Sequence, residues 1–339
     1  IEVKDNSSGG LSQFEVQHRA GQYPIMVKSS GCNLWNKGPY ELIERREEIH
    51  EVGGIFIING TDKVFRQLLV LRRNEPLAIV RPSYKRLGRG YTKYSVALRA
   101  VKTSRSKTNF LHYIDDGNCS LRLLVQKREF LIPVGVLLKA LIEASDREIY
   151  SRIIGNDTDN AIVCGNAEII LRELKKLDIY TRIQALSFLG LHIRKSSPEL
   201  DRSFPEASDE MIGEYFLKEQ ILINQPTSQD KFNLLVLMVR KLLALAHGDI
   251  VSDSPDSPMN QELLLAGDLL TWQLREQVGA WMYTLASRLD SQLEPVTAKT
   301  FAKVAAKAFD IGKVAHFLLA TGNLKSPSGL DIPQSNGLA

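Results

Sequence analysis

The feature that most restricts the fold of this chain is a run of alternating polar and apolar residues between Tyr91 and Ile132. Residues 91–98, 110–114, 120–126 and 129–132 alternate, and polar turns at 115–118 and 127–128 separate the last three segments. Strict alternation with short polar turns predicts an antiparallel meander. Because helical patterns follow these strands rather than alternate with them, the sequence predicts an α+β fold of antiparallel strands and packed helices.

Helical patterns fill most of the chain beyond Pro133. Proline is tolerated in the first turn of a helix and glycine commonly ends one, so Pro133 and Gly155 predict a helix over residues 133–155. The periodicity predicts further helices over residues 39–50, 166–176, 181–193, 230–246, 261–289 and 300–319. A polar stretch with two prolines, residues 252–258, interrupts them and predicts a domain crossing.

A short hairpin is predicted ahead of the meander, over residues 53–64. A glycine pair precedes an apolar run that suits a buried strand, and Asn59-Gly60 follows it. Asparagine and glycine both tolerate positive φ, which a tight hairpin turn requires.

Composition limits the class of protein. The 339 residues are 44% hydrophobic, which is enough for two domains of ordinary size. The longest apolar run, residues 234–246, is interrupted by Arg240 and Lys241 and is too short to span a bilayer, so no membrane partner is expected.

Cys32, Cys119 and Cys164 form no CxxC pair, which argues against disulfides and against a zinc site. Because the chain begins at an isoleucine and ends in a loop-like tail, we expect an excised fragment.

Sequence motifs for catalysis are absent. The chain has no phosphate-binding loop, no dinucleotide fingerprint, no HExxH and no Gly-x-Ser-x-Gly. Its six histidines are scattered singly, and Asp115-Asp116 lies in a predicted turn without a convergent partner. We therefore expect no catalytic residue, no metal ligand and no cofactor in this chain.

Positive charge is concentrated between residues 63 and 107, although the whole chain carries only +4. Glu75 is the one carboxylate after Asp62 in this stretch. Two interpretations remain open, a solvated face of an ordinary sheet and a surface that faces phosphates. Interleaved tyrosines and the Gly88-Arg89-Gly90 run favour the second, because glycines let backbone amides approach a ligand.

Several motifs resemble the second-largest subunit of multisubunit RNA polymerases. Residues 53–64 resemble its Gly-Gly-Tyr-Phe-Ile-Ile-Asn-Gly-type strand, with Ile55 at the usual aromatic position. Further matches follow in family order at residues 24–26, 130–135, 231–243 and 319–324. Residues 72–74, 79–82, 90–92, 111–113 and 253–257 resemble the eukaryotic RNA polymerase I form. The Asp-Asp-Arg-Asp-like run of the polymerase II form is missing around Asp256.

The resemblance implies two intertwined domains. Residues 1–75 and 252–312 would form the protrusion, residues 76–251 the lobe that interrupts it, and residues 313–339 the start of the fork. The domain crossing predicted from composition at residues 252–258 agrees with this division.

The resemblance also implies a function. The chain would be a noncatalytic part of a DNA-directed RNA polymerase, which is a nucleotidyltransferase. It would line the DNA cleft during transcription of ribosomal RNA genes. This transcription takes place in the nucleus, within the nucleolus. Its expected partners are the largest subunit, the small zinc-ribbon subunit and a TFIIF-like heterodimer on the lobe, the DNA template and the RNA–DNA hybrid. Catalytic magnesium would be held mainly by the largest subunit and zinc by other parts of the complex, so the fragment alone should be inactive.

The basic segment supplies the candidate nucleic-acid contacts. They are Arg66, Arg72, Arg73, Arg81, Lys85, Arg86, Arg89 and Lys325. The alternative for some of these side chains is pairing with carboxylates at a subunit interface. A hypothesis of another class is a purely protein-docking platform, in which a strand edge of the meander binds the small zinc-ribbon subunit and the TFIIF-like heterodimer. A free-standing enzyme would need a site that the sequence does not show.

Overall fold

The computed structural model describes residues 2–4, 11–13, 16–103, 105–125, 128–155, 158–196, 207–291, 297–308 and 310–322. Within these residues the chain forms two compact units. The first contains residues up to 68 and from 263 onward, and the second contains residues 69–262. The assignment of residues to a protrusion, a lobe and a fork stays a prediction, and most of the predicted fork lies outside the described residues.

A five-stranded antiparallel sheet organises the second unit. Its strands are β6 (Pro76–Val80), β7 (Tyr91–Lys102), β8 (Arg105–Ile114), β9 (Cys119–Val125) and β10 (Arg128–Pro133), in the order β10-β9-β8-β7-β6. The predicted meander is confirmed. The prediction did not include β6, nor the paired ends of β7 and β8 over residues 99–109. Charged residues such as Arg99 and Lys102 interrupt the alternation at these ends.

Six helices follow in the described part of the second unit. They are α2 (Val134–Leu141), α3 (Asp146–Ile154), α4 (Ala161–Lys176), α5 (Arg182–Ser196), α6 (Asp209–Glu219) and α7 (Ser228–His247). One face of the sheet and these helices share a single apolar core, with Leu98, Leu111 and Phe232 fully buried. The α+β prediction is therefore confirmed.

The predicted helix over residues 133–155 is wrong, because α2 and α3 are separate helices. Ile142 is extended, with φ −138°, which ends α2. Ser145 then caps α3, since its side chain accepts a hydrogen bond from the Glu148 amide. The long predicted helix over residues 230–246 is confirmed as α7, and it ends at Gly248, which adopts the left-handed conformation.

Glycines bring α5 and α6 into close contact. A Cβ atom on Gly190 would lie 1.9 Å from the Asp209 carbonyl oxygen, and one on Gly213 would lie 2.4 Å from the Leu186 carbonyl oxygen. Each helix thus places a glycine against the backbone of the other. Only a residue without a Cβ atom permits the two helix backbones to approach so closely.

The described part of the first unit contains the predicted hairpin and four α-helices. Strands β3 (Phe56–Ile58) and β4 (Thr61–Lys63) pair antiparallel, and the turn residues Asn59 and Gly60 have φ of 53° and 75°. Phe56 and Ile58 are buried, so the hairpin prediction is confirmed. The helices are α1 (Pro39–Glu44), α8 (Ala266–Asp290), α9 (Ala298–Ala306) and α10 (Ile311–Thr321), and a further strand pair joins β1 (Glu2–Lys4) to β2 (Leu11–Gln13).

Three predicted helices of the first unit are shorter or divided. The helix expected over residues 39–50 ends at Glu44. Residues 261–264, expected to begin a long helix, form β11 (Gln261–Leu264), which pairs with β5 (Leu68–Leu71). The helix expected over residues 300–319 divides into α9 and α10, because Asp310 accepts hydrogen bonds from the amides of Gly312 and Lys313 and starts a new helix. No helix in the described residues is long and apolar enough to cross a membrane.

Candidate nucleic-acid interface

The segment from Arg81 to Arg89, here called the basic turn, joins β6 to β7 in the second unit. Its first part is a 3-10 helix, Pro82–Arg86, with proline at the position where a missing N–H costs least. The Arg81 amide donates to the Lys93 carbonyl at 2.8 Å, and the Leu87 amide donates to the Tyr84 carbonyl at 3.0 Å. The turn is therefore fixed to β7 and closed on itself by backbone hydrogen bonds.

Tyr84 anchors the basic turn to the sheet. Its side chain is buried, and its ring stands perpendicular to His112 with 4.9 Å between the centroids. Burial raises the pKa of the Tyr84 phenol, although the nearby positive charge of Arg81 opposes that rise. Tyr91 also packs edge-on against His112, at 5.1 Å. Tyr84 is therefore used for packing and offers no open ring on which a base could stack, whereas Tyr91 is only half-buried.

Four cations of the basic turn are exposed and make no ion pair with any described residue. They are Arg81, Lys85, Arg86 and Arg89. The sequence has no carboxylate between Glu75 and Asp115. Asp115 lies at the far end of the turn, where its amide donates to the Gly90 carbonyl at 2.9 Å. The arrangement concentrates positive charge on one short, anchored surface segment.

Arg72 and Arg73, in contrast, already have carboxylate partners. Arg72 lies 3.2 Å from Glu75, and the Arg73 Nε donates to Glu262 at 2.8 Å. Buried Arg99 contacts the same Glu262 carboxylate. Burial alone would raise the pKa of Glu262, but the hydrogen bonds and charges of the two arginines outweigh it and lower that pKa. Glu262 is thus held ionised between Arg73 and Arg99.

The two remaining predicted contacts lie outside the described part of the second unit. Arg66 is exposed and belongs to the first unit. Lys325 lies outside the described residues. Lys93, which was not among the predicted contacts, is exposed in β7 beside the basic turn, because its carbonyl accepts a hydrogen bond from the Arg81 amide. Its ammonium lies 5.1 Å from the centroid of the Tyr94 ring. The strand alternation of β7 was the signal that could have identified it.

The described residues contain no site of an obvious catalytic kind. No three His, Cys, Asp or Glu side chains in this part of the chain lie close enough to hold a metal ion. A cavity of about 160 Å³ between α5 and α6 is lined by apolar side chains such as Ile193, Met211 and Phe216, and Tyr215 and Gln220 are the lining residues with polar groups. General acid–base chemistry needs converging titratable groups, which this cavity does not offer.

The family of the chain follows from comparison with known proteins. The family model described as RNA polymerase Rpb2, domain 2, matches residues 72–264, more than half of the chain, and the chain belongs to this family. The sequence therefore identified the second-largest polymerase subunit correctly.

Among individual proteins, the chain is similar to RNA polymerase I subunits. It is 37% identical to the DNA-directed RNA polymerase I subunit RPA135 of Saccharomyces cerevisiae, over 98% of this chain and 28% of that protein. It is 36% identical to the probable subunit RPA2 of Schizosaccharomyces pombe, over 97% and 28%, and 35% identical to RPA2 of Homo sapiens, over 97% and 29%. The chain thus spans less than a third of the length of these relatives. The expected likeness to the polymerase I form is confirmed.

Proposed function

We propose that the chain is a noncatalytic part of the second-largest subunit of RNA polymerase I, and that its basic turn contacts DNA phosphates along the cleft of the enzyme. The observation that carries the proposal is a set of four exposed cations on an anchored turn, none of which pairs with a carboxylate among the described residues. Arginine and lysine side chains of this kind bind phosphates and release the counterions that surround DNA. The contact would be independent of base sequence, because phosphates carry no sequence information.

Family membership supports the wider setting of this proposal. Relatives are DNA-directed RNA polymerase I subunits by name, so we place the chain in transcription of ribosomal RNA genes, in the nucleus and its nucleolus. Nucleotidyl transfer would belong to the complete enzyme, with magnesium held mainly by the largest subunit. The isolated chain would bind DNA without polymerising nucleotides.

A direct test removes the four cations together. The variant Arg81→Ala/Lys85→Ala/Arg86→Ala/Arg89→Ala should lower affinity for a random-sequence duplex and flatten its salt dependence. Each lost phosphate contact changes the slope of log K against log salt by about 0.9. A matched control removes four exposed cations from helices of the same unit that make no ion pair with a described residue, Arg147, Arg152, Lys175 and Lys176. Equal affinity and slope in the two variants would contradict the proposal.

A second candidate function, protein docking, is favoured by the open edge of the sheet. Strand β6 is covered at its edge, since the Asp253 amide donates to the Ala78 carbonyl and the Asp253 carboxylate accepts from the Ala78 amide. No described strand pairs with the other edge, β10, where Leu131 is partly exposed. An open edge can accept a strand from a partner.

The partners proposed for this edge are the small zinc-ribbon subunit and the TFIIF-like heterodimer, while the largest subunit stays a proposed partner of the chain as a whole. The substitution Leu131→Lys should weaken capture of such a subunit by the purified chain while leaving DNA binding unchanged. Loss of DNA affinity in the Leu131→Lys variant, or unchanged capture, would argue against separate docking and DNA surfaces.

A further inference from the structure

The basic turn contains a serine in the middle of its cations. Ser83 follows Arg81 and Pro82, and Lys85 and Arg86 come shortly after it. Its side chain is exposed, and its hydroxyl makes no hydrogen bond with any described residue. The hydroxyl is therefore accessible to a modifying enzyme and has no structural task in the described part of the chain.

We propose that Ser83 is a phosphorylation site that switches off the phosphate-binding surface of the basic turn, an inference that rests on the proposed DNA contact. Basic residues on both sides of the acceptor suit a serine/threonine kinase with an acidic substrate cleft. The Ser83 Oγ attacks the γ-phosphorus of ATP, forming an Oγ–P bond. The bond from that phosphorus to the bridging β–γ oxygen breaks, ADP leaves, and the hydroxyl proton passes to the kinase's catalytic carboxylate.

The electrostatic effect follows from the local charges. A phosphoserine carries about −1.5 to −2 at neutral pH, against the four positive charges of the basic turn. Its oxygens are strong acceptors for arginine and lysine donors, so the modified side chain would pair with the same cations that contact DNA. Phosphorylation would thus remove about two phosphate contacts, equivalent to roughly a 10–100-fold loss of affinity near ~0.1 M salt.

The fold should tolerate the modification. Ser83 is exposed while the neighbouring Tyr84 is buried against His112, so the anchor and the acceptor are different side chains. The phosphate would project from a turn that the Arg81 and Leu87 backbone hydrogen bonds keep in place. Thermal unfolding of the modified chain should therefore match that of the unmodified chain.

The experiment uses the full chain, a purified kinase that selects basic residues on both sides of serine, and a random-sequence DNA duplex. Peptide mass analysis should show phosphate at Ser83 in the native sequence and none at this position in Ser83→Ala. Affinity and salt slope are then measured for the modified and unmodified chains. Ser83→Glu should weaken binding in the same direction, whereas the neutral variant Ser83→Gln should not.

The outcomes separate the switch from the proposed function. Unmodified protein without salt-dependent DNA binding would overturn the proposed function and the switch with it. Protein that binds DNA equally well with and without phosphate at Ser83 would overturn the switch alone. Absence of phosphate at Ser83 after exhaustive treatment would overturn its role as the acceptor.

Discussion

Arg99 and Glu262 form an ion pair although 163 residues separate them in the chain. The Arg99 side chain is 5% exposed, and its Nε also donates to the Leu71 carbonyl at 2.6 Å. The Glu262 carboxylate also forms an ion pair with Arg73. The pair therefore joins strand β7 of the sheet to the segments where the chain enters and leaves the second unit.

The first prediction concerns the free energy of unfolding. Glu262→Ala leaves the Arg99 guanidinium buried without its carboxylate, and we expect a loss of about 2–4 kcal/mol in urea unfolding. Glu75→Ala is the matched control, because Glu75 pairs with the exposed Arg72, and it should cost less than about 1 kcal/mol. A similar cost for both variants would show that the buried pair has no special role.

This pair illustrates what the sequence could not predict. The meander and the hairpin follow from local patterns, namely alternation and an Asn-Gly turn, and both were predicted. Arg99 had the same local signature as Arg81, since both are cations in a basic segment. Only the fold distinguishes them, because it brings Glu262 to Arg99 and leaves Arg81 exposed.

The same limit explains the errors in the helices. The break between α2 and α3 depends on the cap at Ser145, and the break between α9 and α10 depends on the cap at Asp310. Apolar periodicity continues through both breaks, so it suggested single helices. Caps act through one hydrogen-bonded side chain, which a pattern averaged over many residues does not detect.

His112 provides the second prediction, a pH dependence of stability. Its ring is fully buried between Tyr84, Tyr91 and Phe110, and neither ring nitrogen has a hydrogen-bond partner among the described residues. Burial, with a smaller effect of the Arg122 charge, lowers the pKa of His112 to about 4, from 6.5.

The sign follows from proton binding. Between these two pKa values the unfolded chain binds a proton at this histidine and the folded chain does not, so stability falls as the pH falls from about 6.5 towards 4. The total loss from this residue is about 3 kcal/mol. His112→Phe should remove that part of the pH dependence and raise stability at pH 5, as measured by urea unfolding. Identical pH profiles for the two proteins would contradict this account.

The third prediction tests the close contact of α5 and α6. Gly190→Ala places a Cβ atom 1.9 Å from the Asp209 carbonyl oxygen, so the helices must separate, and we expect a loss of about 2–4 kcal/mol. Gly165→Ala in α4 is the control, because its Cβ would meet no atom within 4 Å. That variant should gain roughly 0.5–1 kcal/mol from helix propensity. Thermal unfolding of both variants tests this prediction. If Gly165→Ala also destabilised the protein, a loss of stability would not require a clash, and the steric explanation would be refuted.

The fourth prediction compares paired and unpaired arginines in DNA binding. Arg86 belongs to the basic turn and has no ion pair in the described residues, whereas Arg73 already contacts Glu262. An arginine that must leave a carboxylate to reach a phosphate gains less from DNA, because one ion pair replaces another. Arg86→Ala should therefore reduce the salt slope by about one unit, and Arg73→Ala by less than about half of that.

Both variants remove a single positive charge, so a nonspecific effect of net charge would change the two slopes equally. Salt-titrated binding of each variant to the same random-sequence duplex separates the two explanations. A larger slope change for Arg73→Ala than for Arg86→Ala would place the DNA contact near Arg73 and Glu262 instead of at the basic turn. The ranking of these two side chains is thus a test of where DNA lies on the second unit.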